Sequence, residues 1–436
     1  MTPLVPRGEA FRLWLKVGLT NFGGPAGQIA LMHRLIVEEK RWIGETRFLQ
    51  GLNYCMLLPG PEAQQLATYI GTLMGGVRGG LVAGGLFILP GAALMLVLSA
   101  VYALYAKVPV VDGMFYGIRA AVVAIVVEAL LRIAKRALKT TQHRVVAGLS
   151  FAAIFVFAVP FPLIVLAAAL FGAIAARGRP AAPPNEADGT ALVDTAFAQG
   201  RMEHVRPSAM RALVTAVLGV AIWFAPLLAF RRPPVLADLG LFFAKMAVVT
   251  FGGAYAVLSY VSDQAVNVYH WLRPDEMLHG LGLAETSPGP LILVLQFVGF
   301  QAAYRAPGTL DPMAAGIAGS LITLWATFVP SFLWIFVGLP YTEALRRVRA
   351  LNGALASVTA AVVGVVLNLT VWFAMHALFA RTIALGPVTL PDVTAVDPVA
   401  ALLAAAAALA LIRFKVGLFA VMGAAAVLGI LHGVLL

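Results

Sequence analysis

Of 436 residues, 61% are hydrophobic and 12% charged, and the mean hydropathy is +0.90; a soluble domain is nearer half apolar and a quarter charged. The formal net charge of +11 is clustered between apolar segments, as in loops facing the cytoplasm, and does not point to nucleic acid. Cys55 is the only cysteine, which excludes internal disulfides, thiolate metal clusters and dithiol redox chemistry.

The apolar residues fall in segments long enough to cross or nearly cross a bilayer. Such segments must satisfy their own backbone groups in lipid, so helices are expected and the fold class is an all-α polytopic membrane protein; the short alternating segments of a barrel are absent. Six segments are predicted in the first half, at 10–32, 48–74, 79–106, 114–131, 145–159 and 161–176. No small-residue cleavage site follows Arg7, so no cleavable signal peptide is expected ahead of them. A linker from Arg177 to Arg211, rich in Ala, Pro, Asp and Glu, has the composition of a flexible connection. An extra helix is expected at 209–230, then six more segments at 239–261, 277–303, 313–338, 353–379, 396–412 and 415–435.

The halves repeat each other. At an offset of 229, Lys16 meets Lys245, Phe22-Gly23-Gly24 meets Phe251-Gly252-Gly253, Trp42 meets Trp271, and Pro59-Gly60-Pro61 meets Pro288-Gly289-Pro290. Beyond the second segment the offset is 240, where Pro90 meets Pro330 and Ala120-Ala121-Val122-Val123 meets Ala360-Ala361-Val362-Val363; an insertion near Tyr304–Pro312 accounts for the change. The expected organisation is a first repeat at 1–176, linker plus extra helix at 177–238, and a second repeat at 239–436. Six crossings followed by a seventh invert the second repeat, the pattern of secondary transporters.

The loop Arg132–Arg144 carries five basic residues and no acid, which places it in the cytoplasm with the N-terminus, and the C-terminus outside. Residues 33–47 conflict with this count: they carry Arg34, Lys40, Arg41 and Arg47 yet fall outside. An interrupted or re-entrant element at 10–32, broken at Gly23-Gly24-Pro25, would remove the conflict. The short pairs 145–159/161–176 and 396–412/415–435 also read as hairpins that need not fully span.

Two signatures recur once per half. Asn21-Phe22-Gly23-Gly24-Pro25 and Thr250-Phe251-Gly252-Gly253 unwind a helix and free backbone groups, and such breaks mark midplane binding sites in transporters; close helix packing by small residues is the alternative. Pro59-Gly60-Pro61, followed by Glu62, Gln64 and Gln65, and Pro288-Gly289-Pro290, preceded by Glu285, Thr286 and Ser287, interrupt a helix and start another. The new N-terminus presents free N–H groups and a positive dipole end suited to an anion; a kink that only shapes the bundle is the alternative. Lys16 and Lys245 are costly in a membrane helix and are either substrate residues or snorkelling anchors. Arg119 and Glu128 are candidate pathway residues, although the other half has Thr359 and Asn368 at their positions. The histidines form no metal-ligand pattern, no cofactor is expected, and no Walker sequence is present to use ATP directly.

Phe22-Gly23-Gly24-Pro25, Gly27-Gln28-Ile29-Ala30, Glu39, Trp42, Tyr54-Cys55 and Leu58-Pro59-Gly60-Pro61-Glu62-Ala63-Gln64-Gln65-Leu66-Ala67-Thr68-Tyr69-Ile70-Gly71 resemble the chromate ion transporter family. Phe251-Gly252-Gly253 and Pro288-Gly289-Pro290 fit its long, two-domain form. Met56 stands where the family often has Gln, so no polar role is assigned there. The resemblance implies an inner-membrane protein that exports chromate and confers resistance, coupled to the proton-motive force or to exchange for an anion such as sulfate. It also brings Gln28 among the substrate-binding candidates. The expected partners are chromate or sulfate as substrate and the lipid bilayer; a homodimer is left open. A carrier of another oxyanion and an anion channel are the competing readings. A membrane-bound reductase, which would make the chain an enzyme, lacks a redox centre.

Overall fold

The computed structural model describes residues 4–176, 191–229, 233–251, 253–346, 348–385 and 388–435. It is that of an all-α polytopic membrane protein. Among the described residues five helices are long and apolar enough to cross a membrane, and the only strands are the antiparallel pair β1 (Thr382–Leu385) and β2 (Val388–Pro391).

Two compact units are formed, and each draws on both halves of the sequence. The first comprises Met1–Leu96, Ala175–Ala254 and Ser287–Asn352, the second Val97–Ile174, Tyr255–Thr286 and Gly353–Leu436.

In the first unit, α1 (Arg7–Thr20) and α2 (Gly24–Met32), extended by a π-helical stretch to Glu39, form a hairpin. Its two ends are tied by Lys40 Nζ, 2.7 Å from Glu9 Oε1. The next pair is α3 (Glu45–Cys55) and the first limb of α4 (Glu62–Tyr105). The α4 helix is not continuous: Gly75 and Gly76 (φ 64, ψ −157) leave the helical region. There the chain doubles back, with Gly71 packed on Gly79 and Ala83, and Thr68 on Gly84. The second limb is the first one long enough to span.

The linker joins the hairpin ends. Its helix α8 (Leu192–Ala198) buries Val193, Asp194 and Ala196. Arg47 Nε lies 2.5 Å from Asp194 Oδ1, the Gly44 N–H donates to Asp194 Oδ2 at 2.9 Å, and the Leu192 and Val193 N–H groups donate to Arg41 and Trp42 carbonyls. The Leu4 N–H donates to Met74 O at 3.1 Å, and His204 Nε2 meets Thr72 O at 3.1 Å. Residues 33–47, the linker and the end of the first α4 limb therefore share one end of this unit. Simple alternation of spans, which sets 33–47 opposite the linker, does not hold: segments 10–32 and 48–74 each enter and return. The linker is packed from residue 191 onward; its residues 177–190 lie outside the described residues.

The same unit contains α9 (Ala209–Ala229), α10 (Pro234–Val249), α13 (Val294–Arg305), α14 (Pro312–Gly338) and α15 (Thr342–Arg346), with α11 (Ala254–Asp263) beginning at its edge. The α13–α14 pair crosses closely at Gly299 and Gly319, as the α4 limbs do at Gly71 and Gly79. Gly308, in the loop between α13 and α14, sits against Pro233 at the start of α10, so α10 also begins at the end to which α13 returns.

In the second unit, α5 (Pro109–Ala137) packs against α12 (Pro274–Thr286), α17 (Pro398–Ala408) and α18 (Leu418–Leu435). Gly113 and Gly117 approach the backbone of Ala425 and Gly429, a close crossing that small residues permit. Helices α6 (Thr141–Phe155) and α7 (Phe161–Ala175) meet α16 (Arg349–Leu378) at Gly364 and Gly172.

Candidate functional site

Each recurring motif forms a break at a hairpin tip. Asn21 (φ −83, ψ 58) ends α1, and Gly23 and Gly24 take φ of 87° and 70°, where a Cβ is disfavoured. Pro25 lies in the first turn of α2, where its missing N–H is harmless. In the second half Thr250 ends α10 and Gly253 has φ 95° before α11; Gly252 lies outside the described residues. At the other tips Gly60 (φ 118°) separates α3 from α4, and Gly289 (φ 107°) separates α12 from a 3-10 turn leading into α13.

These breaks join crosswise between the halves. The Gly60 N–H donates to Thr250 O at 2.9 Å, and the Gly289 N–H donates to Asn21 O at 3.4 Å. Gly60 and Gly289 are equivalent in the repeat, as are Asn21 and Thr250, so one contact occurs twice. The Pro-Gly-Pro tips also pack alike, Gly60 against Ser331 and Gly289 against Gly91, again an equivalent pair.

Buried carboxamides hold the tips. Gln28 Nε2 donates to Asn21 O (3.0 Å) and Gly289 O (2.6 Å), Asn21 Nδ2 to Phe87 O (3.2 Å), and Gln65 Nε2 to Pro59 O (2.7 Å). Gln64 Nε2 donates to Thr68 Oγ1 at 2.9 Å. All four residues are fully buried. Their side-chain oxygens have no partner among the described residues, although buried polar atoms are nearly always paired. There is room at the breaks: a Cβ at Gly23, Gly24 or Gly253 would meet nothing within 4 Å. The first-turn N–H groups of α2 and α4 lack intrahelical acceptors and carry the positive end of the helix dipole, an arrangement that suits an anion.

The structure thus brings together Asn21, Gly23, Gly24, Gln28, Thr250 and Gly253 with Pro59, Gly60, Pro61, Gln64, Gln65, Pro288, Gly289 and Pro290. Glu62, half-buried, opens α4, and Ser287 is buried beside Pro288. Lys16 and Lys245 are exposed on α1 and α10, and neither has an ion-pair partner among the described residues. The donors at the tips themselves are backbone N–H groups.

Three candidates belong to the second unit. Glu285 is buried and accepts a hydrogen bond from the Tyr255 hydroxyl; Glu128 pairs with Arg132. Arg119 lies over the Tyr116 ring (5.3 Å) and lines a cavity of about 380 Å³ with Asp275, His376, Arg381 and Asp397. Asp397 is already engaged, accepting from the Tyr116 hydroxyl at 2.8 Å with both oxygens.

Sequence reasoning did not find Gln296, whose Nε2 donates to Ala92 O at 3.0 Å and whose Oε1 is unpaired, nor Ser331. A glutamine within an apolar helix was the available signal for the first. Ser331 carries none beyond following Pro330. Among the described residues no group of three His, Cys, Asp or Glu could hold a metal ion.

The sequence model of a family described as chromate transporter matches residues 8–173 and again 237–430. A chromate transport protein of Pseudomonas aeruginosa is 31% identical over 364 residues, 82% of this chain and 79% of its own. One from Cupriavidus metallidurans is 27% identical over 81% of this chain and 79% of its own. A probable chromate transport protein of Synechococcus elongatus is 26% identical over 82% of each. No solved structure matches the chain.

Proposed function

The chain belongs to the chromate transporter family, and from that premise we propose that it is a secondary carrier exporting chromate across the inner membrane and conferring resistance. The observation that carries this reading is the crossed pair of breaks, Gly60 to Thr250 and Gly289 to Asn21. Broken helices that meet near mid-depth, with N-termini free to receive an anion, are how secondary transporters build a substrate site. Lys16 and Lys245 add long-range attraction for an anion entering or leaving.

The halves 1–176 and 239–436 act as inverted repeats joined through α9, and exchange of their contacts gives alternating access. The two family matches, one per half, and the equivalent hydrogen bonds support this. The N-terminus, residues 33–47, the linker and the Arg132–Arg144 loop are cytoplasmic. With re-entrant hairpins replacing two crossings in each half, parity is unchanged and the C-terminus lies outside. Export draws on the proton-motive force or on exchange for another anion such as sulfate. A homodimer is compatible with the scheme, and no enzymatic step is required.

Everted vesicles test the proposal. Chromate should accumulate inside them, more with a proton gradient or with trapped sulfate than without either. Sulfate accumulation without chromate accumulation would make the chain a carrier of another oxyanion; passive, non-saturating flux would make it a channel.

A further inference from the structure

The first-half break offers unpaired acceptors as well as donors. The orientation of both carboxamides is fixed by their surroundings. Gln28 Nε2 faces the Asn21 and Gly289 carbonyls, and Asn21 Nδ2 faces the Phe87 carbonyl; flipping either amide would set oxygen against oxygen. The free atoms are therefore Asn21 Oδ1 and Gln28 Oε1, both buried and without a partner among the described residues. Their residues bracket the start of α2, where Gly23 and Gly24 face open space and the first-turn N–H groups are donors. Pro25 supplies none.

A fully ionised oxyanion has only acceptor oxygens. It satisfies the N–H groups but leaves the two carboxamide oxygens facing its own charge. An oxyanion that keeps one proton accepts from the helix N-terminus and donates its O–H to one of the two carboxamide oxygens, so that one acceptor fewer is left unpaired against its charge. It also brings a single charge, so there is less for the helix N-terminus to offset. We infer that the Asn21–Gln28 break binds its oxyanion in the singly protonated form, so that the transported species is hydrogen chromate and not the dianion. This rests on the proposed carrier function and deepens it.

The chemistry supplies a selectivity rule. Hydrogen chromate loses its proton near neutrality, whereas hydrogen sulfate and hydrogen selenate do so only in strong acid. A site built to accept from a substrate O–H disfavours an analogue lacking it, because buried acceptors are left unpaired. Sulfate is then disfavoured even though its shape and size are similar, and of the two couplings only the proton-motive force, not exchange for sulfate, is consistent with this site. The equivalent residues of the second half offer no such pair: the Thr250 hydroxyl donates to Met246 O, and Val257 stands at the position of Gln28. The recognition is assigned to the first half only.

Any pH dependence should come from the substrate. Among the elements around the break, α2, the Phe87–Ala92 stretch of α4 and Pro288–Leu293 carry no ionisable side chain. Lys16, exposed, is the only one in the last two turns of α1, and Glu62 lies at the other Pro-Gly-Pro tip.

The test uses purified full-length protein in proteoliposomes, with chromate and selenate concentration series from mildly acidic to mildly alkaline pH. The apparent affinity for total chromate should fall about tenfold per pH unit once hydrogen chromate ionises, because only the competent fraction binds. Selenate should bind roughly 100-fold or more weakly throughout. Gln28→Met removes one acceptor and should narrow the gap between the two anions; if that variant does not fold, the wild-type profile decides alone. A chromate affinity independent of pH overturns the inference while leaving the carrier intact. So does a selenate affinity that shifts in step with chromate, since a protein group would then be titrating. Absence of saturable chromate transport at every pH overturns the carrier reading, and this inference with it.

Discussion

Gly60 and Gly23 both have positive φ, but their surroundings differ, and so should the effects of changing them. A methyl group at Gly60 meets Ser331 Oγ and Gln65 Nε2, whereas one at Gly23 meets nothing. Gly60→Ala should cost the left-handed penalty of about 1–2 kcal/mol and also displace Gln65, lowering the unfolding temperature and abolishing transport. Gly23→Asn, a residue that tolerates this region, should keep most of the stability. Thermal unfolding in detergent with flux at matched incorporation separates the two. Lys16→Met and Lys245→Met should weaken apparent chromate affinity a few-fold at low salt and hardly at all at high salt, because exposed charges act at a distance and are screened; a loss that persists in high salt would put a lysine in contact with substrate. The glycines and prolines of these tips were legible in the sequence because they break helices wherever they occur. The partner of Gln28 was not, since Gly289 lies 261 positions away and no local pattern announces it.

At the scale of elements, the linker is tied to the hairpins by a buried ion pair and one histidine. Asp194 and Arg47 side chains are 3% and 15% exposed, so Asp194→Asn leaves a mostly buried guanidinium without its counter-charge. It should cost about 3 kcal/mol, read as a lower unfolding temperature and faster proteolysis within the linker. His204 Nε2–H donates to Thr72 O while Nδ1 is buried without a partner, and burial pushes its pKa below the ordinary histidine value. The folded state then binds fewer protons than the unfolded one as pH falls through that value, so this contribution is present above it and lost on acidification. Protease sensitivity of the linker should rise below about pH 6.5, and His204→Gln should flatten the profile; an unchanged profile in that variant would assign the effect elsewhere. Charge foreshadowed this arrangement. The basic residues of 33–47 conflicted with a simple count of spans because two apolar segments return instead of crossing. Apolar length alone does not distinguish a spanning helix from one limb of a hairpin, and the Asp194 contact depends on tertiary packing that a linker's composition does not reveal.

At the scale of the molecule, duplication was legible because Lys, Trp and Pro-Gly-Pro recur at one offset. The division into two units was not, since each unit takes elements from both halves, a consequence of contacts between residues more than 200 positions apart. Topology follows from the hairpins. Tags at Lys40, within the linker and in the Arg132–Arg144 loop should all report the cytoplasm, and a tag after Leu436 the opposite side; a tag at Lys40 reporting outside would make segment 10–32 a true span. The most direct measurement is saturable chromate transport by the purified protein in proteoliposomes, compared with a variant whose Pro59-Gly60-Pro61 is replaced by three alanines. The expected result is saturable flux for the wild type and none for the variant at equal incorporation, because a healed helix removes both the N-terminus and the Gly60 bond to Thr250. Full flux in the variant, or none in the wild type, would contradict a chromate carrier built on crossed helix breaks.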